Sequence, residues 1–204
     1  MKIICIGRNY AAHAAELNNP IPESPLLFLK PDTAILKDSK PFYHPDFSKD
    51  IHHEIEIVLK ISKNGKSIAP EFAHKYYEMA SLGIDFTARD LQSELKSKGH
   101  PWEISKAFDN SAVIGEFVPF SLLKSEDGHI DFKLFNNSIC VQHGNSAQMI
   151  TGFDAMISYA SRFFTLQAGD LIFTGTPAGV AQVKIGDCLE AFVGDKKLLH
   201  CDVK

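Results

Sequence analysis

Glu54-Ile55-Glu56-Ile57-Val58-Leu59-Lys60-Ile61 alternates acid with apolar residue and then turns almost wholly apolar. A period of two is that of a β-strand, whose successive side chains point to opposite faces. The stretch therefore predicts a strand running into a core, with Ile55 and Ile57 on one face. Glu54 and Glu56 share the other, about 7 Å apart along the strand. Two neighbouring carboxylates repel, and a divalent cation removes that penalty. Asp85 closes a second apolar segment, from Ser81, and could end a strand at the same cavity. Three carboxylates with positions left for water and substrate suit a hard cation such as Mg²⁺, with Mn²⁺ or Ca²⁺ as alternatives. An isolated pair of acids at this spacing is more often the solvent face of a half-exposed strand. His52 and His53, just before the pair, read equally well as turn residues or as groups that orient a ligand.

Outward from this strand, residues 1–7 read as a first strand ending in a glycine. Residues 9–18 are alanine-rich and predict a short helix stopped by Asn18-Asn19-Pro20, because proline cannot continue a helix. Leu26 to Leu29 is a short apolar run closed by Lys30-Pro31. Residues 71–81 read as a helix, and Ser81 to Asp85 as a strand or its approach. Thr87-Ala88-Arg89-Asp90 fits a capping box opening a helix that runs to Lys98 and is stopped by Gly99 and Pro101. Ser146 to Phe164 predicts one or two helices broken near Gly152. Gly169-Asp170, Gly186-Asp187 and Gly194-Asp195 mark turns between short strands, as in a β-roll. The class expected is α+β, with strands at both ends and helices between.

The 204 residues suit one domain spanning 1–204, and 45% hydrophobic content is too high for a disordered chain. A net charge of -4 with no basic block argues against a nucleic-acid partner. No run approaches the roughly 20 apolar residues of a membrane span, and the N-terminal run is too short for a signal peptide. Cys5, Cys140, Cys188 and Cys201 form no CxxC pair. They are expected to be reduced core residues in a cytoplasmic protein. Trp102 and the phenylalanines are expected in the core.

Five short elements carry a family resemblance. Gly7-Arg8-Asn9-Tyr10-Ala11-Ala12-His13 resembles the GRNYxxH opening of the fumarylacetoacetate hydrolase family, and His53-Glu54-Ile55-Glu56 its HExE element. Asp85 to Gln92 resembles D-x-TARDxQ, Pro101 to Asp109 resembles PWxxxKxFD, and Thr174 to Val180 resembles TGTPxGV. They occur in family order and span most of the chain. The Phe28-Leu29-Lys30-Pro31 run and the Lys98-Gly99-His100-Pro101-Trp102 segment resemble the compact acylpyruvase and oxaloacetate decarboxylase branch.

The resemblance implies a mixed β-roll with flanking short helices, usually dimeric. It implies Glu54, Glu56 and Asp85 as metal ligands, and His13 with Glu16 as a catalytic dyad on a mobile lid, residues 8–25. It implies Lys106 as the lysine facing substrate, and Gln92 and Thr176 as binders of its oxo-acid end, with Arg8 and Arg89 as further contacts. The chemistry implied is C–C cleavage in a small 2-oxo acid: acylpyruvate hydrolysis, oxaloacetate decarboxylation, or both. The leaving carbon departs as an enolate, which a chelated cation and Lys106 would stabilise. An attacking water needs a general base, and histidine titrates near neutral pH. On a helix, Glu16 lies three residues after His13 and shares its face, so the carboxylate can orient the imidazole. Two alternatives remain open: an isomerase, hydratase or decarboxylase of 2-hydroxydienoates, and a metal-stabilised binding protein without turnover. By itself the Gly-Thr-Pro-x-Gly pattern of residues 175–179 says only that backbone can approach a ligand closely.

Overall fold

The computed structural model describes residues 1–17, 20–37 and 40–204. Among these, Ile55–Ile61 lies inside a seven-stranded mixed sheet. The order across it is Leu26–Lys30, Ile3–Gly7, Leu171–Phe173, Ile55–Ile61, Tyr77–Asp85 and Ala112–Ile114, with Val118–Pro119 also paired to Tyr77–Asp85. Ile3–Gly7 and Leu171–Phe173 run parallel, and the other neighbours antiparallel. A four-stranded antiparallel sheet is ordered Ile139–Asn145, Asp131–Asn136, Cys188–Val193 and Lys196–Asp202. Ala181–Gln182, Ile51–His53 and Thr87–Ala88 make a third, short sheet.

The main core cluster joins the first two sheets, packing Ile57, Leu59 and Leu82 with Phe132, Leu134, Leu189 and Leu199. A smaller cluster, with Ile3, Cys5, Val58, Ala112 and Phe173, covers the opposite face of the first sheet. A sheet buried on both faces loses its hydrophobic alternation, which is why the run after Glu56 turns apolar. Fully burying each such aliphatic side chain contributes about 1.5–3 kcal/mol.

The helices are α1 (Ala11–Glu16), α2 (Pro70–Ala73), α3 (Arg89–Lys98), α4 (Glu103–Lys106) and α5 (Phe153–Phe163). None is long and apolar enough to cross a membrane. The mixed sheets with flanking short helices are those implied by the resemblance.

Several local expectations change. The first helix is shorter than residues 9–18, and the Asn18 and Asn19 part of its expected stop lies outside the described residues. The helix expected over 71–81 is replaced by α2, a 3₁₀ turn at His74–Tyr76 and the strand Tyr77–Asp85. That strand is held on both edges, by Ile55–Ile61 and Ala112–Ile114, through distant partners no local window reveals. Thr87 does not cap α3. It sits in a strand, its hydroxyl donating to the Asp85 carbonyl at 3.3 Å, and Ala88 takes the cap position. Gly99 does end α3, with φ of 65°. α5 starts after Gly152, and a 3₁₀ turn at Ser146–Gln148 precedes it. All the cysteines are free, but only Cys5 and Cys201 are core. Cys140 is exposed and Cys188 half-buried, because both lie on the outer face of the four-stranded sheet.

Candidate active site

The antiparallel register decides where the acids meet. Glu56 lies opposite Gly83, and Ile55 opposite Ile84, so Asp85 falls beside Glu54, whose carbonyl accepts from the Asp85 amide at 2.9 Å. Oxygens of Glu54, Glu56 and Asp85 all lie within 4.8 Å of one another. The three carboxylates are buried, at 4%, 3% and 0% exposure, which removes the solvent-face reading of the acid pair.

Buried carboxylates need positive partners. Lys106, placed by α4, donates from Nζ to Glu54 Oε2 at 2.8 Å and to Asp85 Oδ2 at 2.7 Å. Arg89 pairs with Glu54 Oε1 and donates from Nη1 to Gln92 Oε1 at 2.6 Å. Lys30 Nζ lies 2.7 Å from Asp85 Oδ1 while donating to the Lys106 carbonyl and to Ser111 Oγ. Among the described residues Glu56 has no paired cation, and it accepts from the Gly175 amide at 2.6 Å. Its carboxyl is accordingly held well above its ordinary pKa, by burial first and then by Asp85 and Glu54. Burial acts in the same direction on Glu54, but Lys106 and Arg89 outweigh it and hold that carboxyl below its usual range.

The residues fit a divalent cation. The donors are all carboxylate oxygens, the set a hard cation prefers. Asp85 Oδ1 is buried and has the Lys30 ammonium, 2.7 Å away, as its partner. Glu56 sits where a nearby positive charge would be most stabilising. Glu54, Glu56 and Asp85 would hold the ion.

A small cavity of about 40 Å³ opens onto this cluster. Of the residues expected from sequence, Arg8, His13, Glu54, Glu56, Asp85, Gln92, Lys106 and Thr176 line it. Glu16 does not; it stands behind His13, with Oε2 3.3 Å from His13 Nδ1 and Oε1 accepting from the Gly179 amide at 3.0 Å. α1 is thus packed over the cavity, and Nε2 is the His13 nitrogen left for it. Lys106, expected to face substrate, does line the cavity but sits within the carboxylate cluster, because buried acids recruit the nearest cation. Arg89 also lines the cavity, but its guanidinium is engaged by Glu54 and Gln92.

Other residues here were not singled out from sequence. Trp102 lines the cavity rather than the core, and Phe28 lines it while packing against the smaller core cluster, their ring centroids 6.3 Å apart. Lys96 and Leu17 line it too. Lys30 is fully buried, and a lysine closing an apolar run was a usable signal. Gln142 carried none. It accepts at Oε1 from the Ile55 amide at 3.0 Å, with His53 Nδ1 2.8 Å away, and donates to Thr176 Oγ1 at 2.9 Å. His53 is therefore a buried strand residue whose ring pairs with Gln142, not a turn residue. The glycines at 175 and 179 admit close packing, but against protein: a Cβ on Gly175 would lie 2.6 Å from Asn9 Cβ, and one on Gly179 2.4 Å from the Val141 carbonyl.

Residues 2–203 match the family described as fumarylacetoacetate (FAA) hydrolase C-terminal. The chain belongs to the fumarylacetoacetate hydrolase family. It is similar to the mitochondrial oxaloacetate tautomerase FAHD1 of Mus musculus, at 40% identity over 203 residues, covering 99% of this chain and 91% of that one. It is similar to the oxaloacetate tautomerase YcgM of Escherichia coli, at 37% over 186 residues, covering 91% of this chain and 85% of that one. Among solved structures, fumarylpyruvate hydrolase from Pseudomonas aeruginosa in complex with Mn²⁺ and pyruvate superposes with a TM-score of 0.90, at 37% identity over 100% of this chain and 89% of that one. The chain is a metal-dependent enzyme with the equipment of a C–C bond hydrolase or lyase.

Proposed function

We propose that the protein is a Mg²⁺-dependent enzyme that cleaves acylpyruvates, oxaloacetate, or both, through an enolate. One observation carries this reading: His13, backed by Glu16, and the buried carboxylate cluster face one cavity that also holds Lys106, Gln92 and Thr176. Solved structures of related fold include an enzyme holding Mn²⁺ and pyruvate. Bound by Glu54, Glu56 and Asp85, the cation supplies positive charge to the oxygens of a 2-oxo acid.

The chain's own residues do the rest. Gln92 and Thr176 hold the oxo-acid end, with Arg8 beside them. Lys106 brings charge to the oxygen that becomes the enolate. His13 takes a proton from water, and Glu16 orients the ring and stabilises its charged form. The water oxygen adds to the distal carbonyl, the C–C bond breaks, and its electron pair passes to the pyruvate enolate. That carbon then takes a proton from His13. Decarboxylation of oxaloacetate reaches the same enolate by loss of CO₂ and needs no attacking water.

Residues 8–25 act as the lid, α1 being too short to hold its helix without docking. The whole chain acts as one catalytic domain. Free cysteines support a cytoplasmic setting, and a homodimer is expected from the family. Light scattering tests the last point.

A second reading has specific support: relatives at 37–40% identity are oxaloacetate tautomerases. Keto–enol exchange uses the same proton transfer at His13 without breaking a C–C bond. Isomerisation of 2-hydroxydienoates would draw on the same groups. Pyruvate release from acetylpyruvate and oxaloacetate, with Mg²⁺ and with EDTA, for wild type and His13→Ala, separates them. The cleavage reading expects EDTA to abolish both activities and His13→Ala to remove acetylpyruvate hydrolysis selectively. Enol loss from oxaloacetate without pyruvate would select the tautomerase instead.

A further inference from the structure

Two of the three buried carboxylates, Glu54 and Asp85, are already paired with three cations, Lys30, Arg89 and Lys106. Arg8 and Lys96 line the same cavity and bring further positive charge to it. Their placement is not incidental. On α3, Arg89, Gln92 and Lys96 stand at i, i+3 and i+7, so one helix face presents all three to the cavity. Arg8 approaches from the end of the Ile3–Gly7 strand with φ of 56°, a left-handed backbone that a non-glycine residue holds only when its surroundings enforce it. Both side chains are half-buried. The Lys96 amine is held below its ordinary pKa, by burial first and then by Arg8 and Arg89, as convergence of like charges requires. Leu17, Phe28 and Trp102 supply apolar wall in the same cavity, suited to a short carbon chain.

We propose that Arg8 and Lys96 form an anion subsite for the distal carboxylate of a dicarboxylic 2-oxo acid, making the cavity selective for dianionic over monoanionic substrates. This rests on the reading of the cavity as a 2-oxo acid site. The cation and Lys106 would take one end of the substrate, and Arg8 and Lys96 the other. Arg8 supplies a forked donor matched to a carboxylate, and Lys96 a compact charge on a flexible stem.

L-malate and L-lactate share a 2-hydroxy acid head and differ by the distal carboxylate. Their binding to the Mg²⁺-loaded protein is measured by calorimetry for wild type, Lys96→Met and Lys96→Arg. Wild type is expected to bind malate at least 10-fold more tightly than lactate. Lys96→Met should erase most of that ratio and Lys96→Arg retain it, and raised salt should shrink it in wild type. In turnover, Lys96→Met should lower the ratio of kcat/KM for oxaloacetate to that for acetylpyruvate by about 10-fold, through KM. Equal malate and lactate affinities in wild type, or ratios that Lys96→Met does not move, overturn the subsite. If wild type prefers malate yet turns over neither 2-oxo acid, the subsite stands and the proposed reaction falls. If both are turned over and the ratio does not move, the subsite alone falls.

Discussion

One carboxylate ties two segments together: Glu16 has Oε2 3.3 Å from His13 Nδ1 and accepts the Gly179 amide on Oε1 at 3.0 Å. The residue that orients the imidazole therefore also fastens α1 to the 174–180 loop. Glu16→Gln keeps the shape but replaces the carboxylate beside His13 Nδ1 with a neutral amide. It should lower kcat for acetylpyruvate hydrolysis by about 10²-fold, within the range for a positioned base. Oxaloacetate decarboxylation should fall much less. Steady-state assays of both substrates test this, and an equal loss on both would count against a water-activating dyad.

Lys106 neutralises two carboxylates that a cation would also neutralise. Lys106→Met leaves Glu54 and Asp85 facing each other with less positive charge. The metal-free variant should lose about 3–5 kcal/mol, the usual effect of breaking a buried pair. Saturating Mg²⁺ should restore part of this, and thermal melts with and without the ion read the difference. A variant equally destabilised in both would show that Lys106 and the cation do not share the carboxylates.

Glu56 supplies the pH dependence. Its folded-state pKa is raised, so the metal-free fold binds this proton more tightly than the unfolded chain does. Its contribution is fully present below the unfolded-state value and is lost as pH rises through the folded one. Metal-free protein should gain stability on mild acidification, and Mg²⁺ should abolish that gain. Glu56→Gln should raise the neutral-pH melting temperature of metal-free protein by a few degrees, on the order of 1–2 kcal/mol, while weakening Mg²⁺ binding. Melting temperatures across pH, with and without Mg²⁺, check both.

Gly175 places its amide on Glu56 with φ of 96°, and its Cα faces Asn9 and the Ile6 carbonyl. Gly175→Ala puts a Cβ 2.6 Å from Asn9 Cβ in a backbone conformation that alanine avoids. It should cost about 2 kcal/mol or more and reduce Mg²⁺ affinity by displacing Glu56. Denaturant melts and calorimetry measure the two effects. Unchanged metal affinity would mean the Glu56 position does not depend on this turn.

Much of the cavity was legible in sequence, because its parts are local. The Glu54–Glu56 spacing, the His13–Glu16 spacing and the strand at Ile55–Ile61 are written in near-neighbour periodicity. Glu16 behind the cavity rather than in it, and Lys106 inside the carboxylate cluster, were not so written, because both depend on partners far along the chain. The same holds for the helix expected over 71–81. Its residues permit a helix, but two edge pairings take Tyr77–Asp85 into the sheet.

The amino-acid sequence by itself, through its family resemblance, pointed to the side chains expected to do chemistry here, three acids, a histidine–glutamate pair and a lysine, and its strand pattern carries two of the acids into a core. Only the tertiary structure decided that these acids are buried within 4.8 Å of one another, that Lys30 and Gln142 support them, and that Arg8 and Lys96 share one cavity. Side-chain type and near-neighbour spacing are properties of a chain segment. Burial, charge neutralisation and ladder register arise from contacts between separate segments, from Lys106 with Asp85, 21 residues apart, to Gly175 with Glu56, 119 residues apart.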